Sequence, residues 1–256
     1  MGISLAKAIT SVKEDDNYIL KITVGGLLTV IPFILCIFAF VQDKLIVLII
    51  ASIVAMILAG LYITGFVFET GNKQLNTDSP DMAEWKNTSL LKTGLKTAVV
   101  YFVYSVIIVI FSFIIGFVVG LLAVISALLL KSISFISTDI ILAVLSNLVG
   151  IFVGLTVALF INAAFTSYMV KLKVGDMLAL KKHHKIIREN SHASWTLIGK
   201  MILYAILFSF ISLVLAAFVV TSALLPFLYF AACIVYINLL VQYGKEINIH
   251  KYFEWL

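Results

Sequence analysis

A chain of 256 residues that is 62% hydrophobic and 12% charged stands far from the soluble average of about a quarter charged and about half apolar residues, so a water-soluble fold is excluded. The basic balance, 18 Lys and Arg against 13 Asp and Glu, would suggest nucleic acid in a soluble protein. Here the charges fall between apolar runs, which points to anionic lipid head groups and away from nucleic acid.

The first 18 residues carry the acidic run Glu14, Asp15, Asp16 and no continuous apolar stretch, so a cleavable signal peptide is not expected. Met1-Gly2 opens like an acylation signal, but Ala6 stands where that motif needs Ser or Thr. Within Ser4 to Asn17, Leu5, Ala8, Ile9 and Val12 fall on one helical face, as in a helix lying at a membrane interface.

Charge-free runs follow at Ile22 to Gln42, Leu45 to Phe68, Thr97 to Leu130, Ile140 to Val170 and Met201 to Gly244. A helix needs about 20 apolar residues to cross a hydrocarbon core of ~30 Å. The last run is long enough for two spans, with Thr221-Ser222 and Pro226 marking its turn. Six spans result. Cys36 and Cys233 both fall inside these runs, so they read as small packing residues and not as a disulfide or metal pair.

The segments on one side of these spans hold three, four, seven and two Lys or Arg, and the other side holds only Lys44 and Lys131. Cytoplasmic loops collect positive charge, so both termini are expected on the cytoplasmic side of a cell membrane.

The spans also suggest a repeat. Lys21, Lys96 and Lys200 open spans one, three and five, and Tyr62-Ile63-Thr64, Phe160-Ile161-Asn162 and Tyr236-Ile237-Asn238 close spans two, four and six. Mixed polar and apolar segments at Ser4 to Asn17, Asp81 to Thr93 (with Met82 and Trp85 as a short stripe) and Asp176 to His192 precede the three hairpins. The expectation is an all-α polytopic bundle, one membrane domain over 1–256. Its three units, 1–75, 76–175 and 176–256, each pair a surface helix with a hairpin.

The middle hairpin is overlong. Its runs of 34 and 31 residues would extend about 51 and 46 Å as straight helices, so it either protrudes or breaks. Gly116 with Gly154, and Gly120 with Gly150, lie at matched distances from its turn and are expected to pack the two helices closely.

Functional signals are sparse. No ionisable residue lies deep in a span, which argues against a proton-relay pump, and no nucleotide-binding or hydrolytic motif occurs. No enzyme, cofactor or metal is therefore expected. Thr64, Asn162 and Asn238 recur at one repeat position, roughly 7 to 14 Å below the inner boundary; they read either as interhelical hydrogen bonding or as a polar binding site. Lys181, Lys182, Lys185 and Arg188 form the densest basic cluster and read as a lipid head-group contact. Adjacent His183 and His184 would point to different helix faces, which suits metal poorly.

Gly60-Leu61-Tyr62 through Gly71-Asn72, then Met82-Ala83-Glu84-Trp85, then Thr93-Gly94-Leu95-Lys96 with Tyr104, resemble in order and spacing domain of unknown function 4013. Met169 to Trp195, with Gly175-Asp176 and Asn190, is similar to that family's second cytoplasmic loop. The chain departs from the pattern at Ala83, where a proline is usual. The resemblance covers most of the chain and implies a prokaryotic integral membrane protein with six spans and no established activity. Taken together, the sequence suggests a membrane scaffold or adaptor that binds lipid, another membrane protein or a second copy. The alternative is a transporter or channel component for a lipid or other apolar solute.

Overall fold

In lipid an apolar segment must satisfy its own backbone N–H and C=O groups, and the helix does this within one segment. The computed structural model describes residues 2–41, 46–77, 79–86, 88–130, 138–217 and 219–253; Lys44 and Lys131 lie outside them. A short helix, α1 (Leu5–Thr10), and a 3-10 turn (Ser11–Glu14) lead into α2 (Tyr18–Val41). Then come α3 (Ile46–Asn76), α4 (Ser89–Leu130), α5 (Thr138–Lys171), α6 (Val174–Met177) and α7 (Leu180–Glu189). The chain closes with α8 (Ser191–Ala216), α9 (Val219–Ser222), α10 (Leu225–Glu246) and a 3-10 turn (Ile249–Tyr252).

Six of these helices, α2, α3, α4, α5, α8 and α10, are long and apolar enough to cross a membrane. The termini and the lysine-rich connections gather at one end, here the basic end; the opposite end is the far end. Toward the basic end the helices outrun their apolar runs: α3 continues to Asn76, α4 starts at Ser89 and α8 starts at Ser191, about two turns or more past the hydrophobic boundary. The middle hairpin does not break, because α4 runs unbroken for 42 residues and α5 for 34.

The core sits toward the basic end, where these extensions meet the ends of the apolar runs. Phe66, Leu90, Tyr168, Ile237 and Tyr243 are fully buried there, whereas toward the far end Phe113 is 77% exposed and Leu213 70%. Lipid tails are as apolar as leucine, so close packing and hydrogen bonds, not apolar burial, must hold helices together. The closest packing is between α3 and α4. A Cβ on Gly65 would overlap the backbone carbonyl of Leu90, and a Cβ on Gly94 would overlap that of Leu61. The contact is reciprocal, since each glycine seats the carbonyl four residues before the other. Gly116, Gly120, Gly150 and Gly154 do not do this: a Cβ at each would meet nothing within 4 Å. Matched distance from a turn sets depth but not rotation about the helix axis, and these four face open space.

The surface helix expected before the middle hairpin is also absent. Residues 79–86 form an extended and turning segment, with Met82 fully buried. Long-range acceptors take the amides that a helix would have used. Met82 N–H donates to Asp15 Oδ2 (2.8 Å) and Ala83 N–H to Thr70 Oγ1 (3.0 Å). Trp85 then stacks on Phe66, with ring centroids 3.9 Å apart, and packs beside Phe230 at 5.6 Å. Helices do precede the outer two hairpins, as α1 before α2 and as α6 and α7 before α8.

Candidate functional site

The richest polar chemistry lies where α2, α3 and residues 79–86 meet. Lys21 Nζ sits 2.9 Å from Asp15 Oδ2 and 2.9 Å from Glu84 Oε1, and also donates to the Met82 carbonyl (3.3 Å). Asp15 is 2% exposed and Lys21 4%, so this is a buried ion pair. Burial alone would raise the Asp15 pKa. Hydrogen bonds from Lys21 Nζ and from the amides of Met82 and Asn17 outweigh it and hold the carboxyl below its ordinary value. Trp85 Nε1 donates to the Lys21 carbonyl (3.0 Å), and Tyr62 donates its hydroxyl hydrogen to the Trp85 carbonyl. These hydrogen bonds join the residues before α2, α2 itself, α3 and residues 82–85, so the cluster is a latch between them.

In the sequence Asp15 stands out only as part of an acidic run and Lys21 only as a boundary lysine. The available signal was a lysine set between Leu20 and Ile22, six residues after an acid. The third member, Glu84, lies 63 positions on, and no local pattern announces that pairing.

Thr64, Asn162 and Asn238 are not brought together. Thr64 Oγ1 donates to the Gly60 carbonyl of its own helix (2.7 Å). Asn162 accepts from the Tyr236 hydroxyl (2.8 Å) and donates to Met201 Sδ (3.2 Å), tying α5 to α10 and α8. Asn238 donates to the Ala8 carbonyl (3.1 Å) and Ser11 Oγ (2.8 Å), anchoring the N-terminal segment on α10, while its Oδ1 is buried without a partner. The repeat position is shared, but the neighbours differ.

In α7 the basic residues divide. Lys181, His184, Lys185 and Arg188 are exposed, and their spacing of three and four places them on one face. Lys182 turns to the protein instead, its Nζ 3.9 Å from the centre of the Phe253 ring and 3.8 Å from Asp176 Oδ1. His183 is fully buried, with Nε2 2.9 Å from the Asp176 carbonyl. A carbonyl only accepts, so Nε2 carries the hydrogen and Nδ1 is left as a buried acceptor without a partner. Burial lowers the His183 pKa, only partly offset by the bond to the Asp176 carbonyl. The two histidines thus point apart, one into the core and one outward.

Beside that exposed face lies a groove of about 550 Å³ between α4 and α5, walled by residues such as Ile108, Phe152 and Phe160, with Lys181 and His184 at its mouth. Tyr104 closes its inner wall and donates to the Met177 carbonyl (2.8 Å), which pins α6 to α4.

A family model described as a protein of unknown function (DUF4013) matches residues 47–225. No curated protein and no solved structure matches the chain.

Proposed function

The chain belongs to the DUF4013 family, and from that premise we propose that it is a non-catalytic membrane scaffold or adaptor that binds lipid or another membrane protein. The observation that carries this reading is the division of labour along the helices. The basic end is locked by hydrogen bonds and aromatic packing, and toward the far end the helices keep broad apolar faces exposed, including Phe113, Phe210 and Leu213. Large apolar faces on a rigid base suit contact with lipid or a partner helix. We place the basic end and both termini in the cytoplasm of a cell membrane, on the strength of the lysine and arginine bias.

A transport path would need its polar groups along one route. Asn162 and Asn238 instead spend their hydrogen bonds on separate elements, which favours the scaffold. Reconstituted in liposomes, the protein should neither scramble labelled lipid nor release a trapped solute faster than empty liposomes do. Flux above that background that falls in Asn162→Ala/Asn238→Ala would overturn the reading in favour of transport.

A further inference from the structure

The groove between α4 and α5 joins two chemistries that a phospholipid also joins. Its walls are apolar, and its mouth carries Lys181 and His184, with Lys185 and Arg188 continuing the same face of α7. From Ile161 at the mouth to Phe152 the wall spans nine residues of α5, about 13 Å at 1.5 Å per residue. Half of a ~30 Å hydrocarbon core is ~15 Å. The groove is therefore about as long as one leaflet's acyl layer is thick, and the basic face of α7 borders it.

We propose that this groove is a binding site for one anionic phospholipid of the leaflet on the basic side, its acyl chains against Ile108, Phe152 and Phe160 and its phosphate beside Lys181 and His184. The proposal rests on the scaffold reading and names the lipid that it binds. The mouth is built and held: the buried His183 bond to Asp176 fixes α7 from behind, and the Tyr104 bond to Met177 fixes α6. A partner helix fits the groove less well. Close helix contact in lipid uses Gly, Ala, Ser or Thr; of the residues lining the groove only Thr156 is of this kind, and its hydroxyl donates to the Phe152 carbonyl of its own helix.

The test is native mass spectrometry of the full chain in mild detergent, with phosphatidylglycerol or phosphatidylcholine of identical acyl chains. Wild type should retain one phosphatidylglycerol about fivefold or more tightly than phosphatidylcholine, the factor expected for a basic side chain or two at an anionic head group. Lys181→Ala/His184→Ala should bring the two lipids level, while Lys92→Ala, with the same loss of one lysine charge elsewhere on the basic end, should keep the preference. Thr156→Trp, which fills the groove without touching charge, should weaken both lipids. Equal binding in wild type, or a preference that survives Lys181→Ala/His184→Ala, overturns the site. So does a dimer in place of the lipid adduct that Thr156→Trp abolishes. Lipid bound in the groove together with liposome flux would sink the scaffold reading and leave the site standing. Absence of both would do the reverse.

Discussion

The same helices are built to two different standards at their two ends. At the basic end, side chains cross between elements: Asn72 Nδ2 donates to the Met169 carbonyl (2.5 Å), Ser194 pairs with the Tyr243 hydroxyl (2.9 Å), and Lys171 Nζ donates to the Phe253 carbonyl (3.0 Å). Toward the far end, Ser52 and Asn147 each bond back to a carbonyl four residues earlier in their own helix. A polar group that satisfies itself within its own helix contributes nothing to helix association. Stability is thus concentrated at the basic end, and the far-end portions are left with uncommitted surface.

That contrast can be broken from the basic end. Asp15→Ala leaves buried Lys21 with the Met82 carbonyl and the exposed carboxylate of Glu84, and removing one partner of a buried pair costs about 3 kcal/mol or more; thermal unfolding in detergent micelles should show the largest loss of any single change here. Gly94→Ala drives a Cβ into the Leu61 carbonyl, and forcing such a contact costs about 1–3 kcal/mol. Gly120→Ala and Gly154→Ala, which meet nothing, should leave the midpoint where it is. If the far-end glycines prove as sensitive as Gly94, the contrast is wrong.

Trp85→Phe keeps the ring stack but loses the Nε1 bond to the Lys21 carbonyl, a loss of about 1 kcal/mol readable in the same unfolding experiment. The smallest effect is a matter of pH. The His183 pKa is lowered in the folded protein from an ordinary 6.5, so below that pH the unfolded chain takes up a proton that the native state refuses. Stability should be level above about pH 6.5 and fall as the pH drops from there toward the native pKa. His183→Gln should flatten that stretch of the profile, and an unchanged slope in the variant would assign the dependence to other groups.

Helix number and the sidedness of charge were legible because they depend on residues adjacent in the chain: an apolar run of sufficient length has no alternative to helix, and its flanking lysines can be counted. The position of Met82 was not. Its amide goes to a carboxylate 67 residues away, so the segment reads as a short amphipathic stripe when it is in fact drawn inward. The glycines failed for a related reason. Depth along a helix follows from counting, but which side faces a neighbour depends on the whole arrangement, and Gly65 and Gly94 differ from Gly120 only in that respect. The resemblance motifs came nearer, since Leu61, Tyr62, Trp85 and Gly94 all lie at the α3–α4 crossing or the latch beside it. The basic face of α7 was legible as charge, and the groove it borders was not, because a groove exists only between elements.

The latch has a further implication for how the protein is made. Trp85 needs Phe230 beside it, the Ser4 amide donates to Gln242 Oε1 across 238 residues (2.8 Å), and Asn238 holds the carbonyl of Ala8. All three contacts come from α10, which leaves the ribosome after α2 to α9. Earlier hairpins can enter the membrane one by one, each helix closing its own backbone bonds as it arrives, but the N-terminal segment and the indole must wait for α10. A nascent chain stalled before α10 would carry six-span intentions with an unfastened beginning, and assembly of the basic end is therefore a post-insertion event set by the order of synthesis.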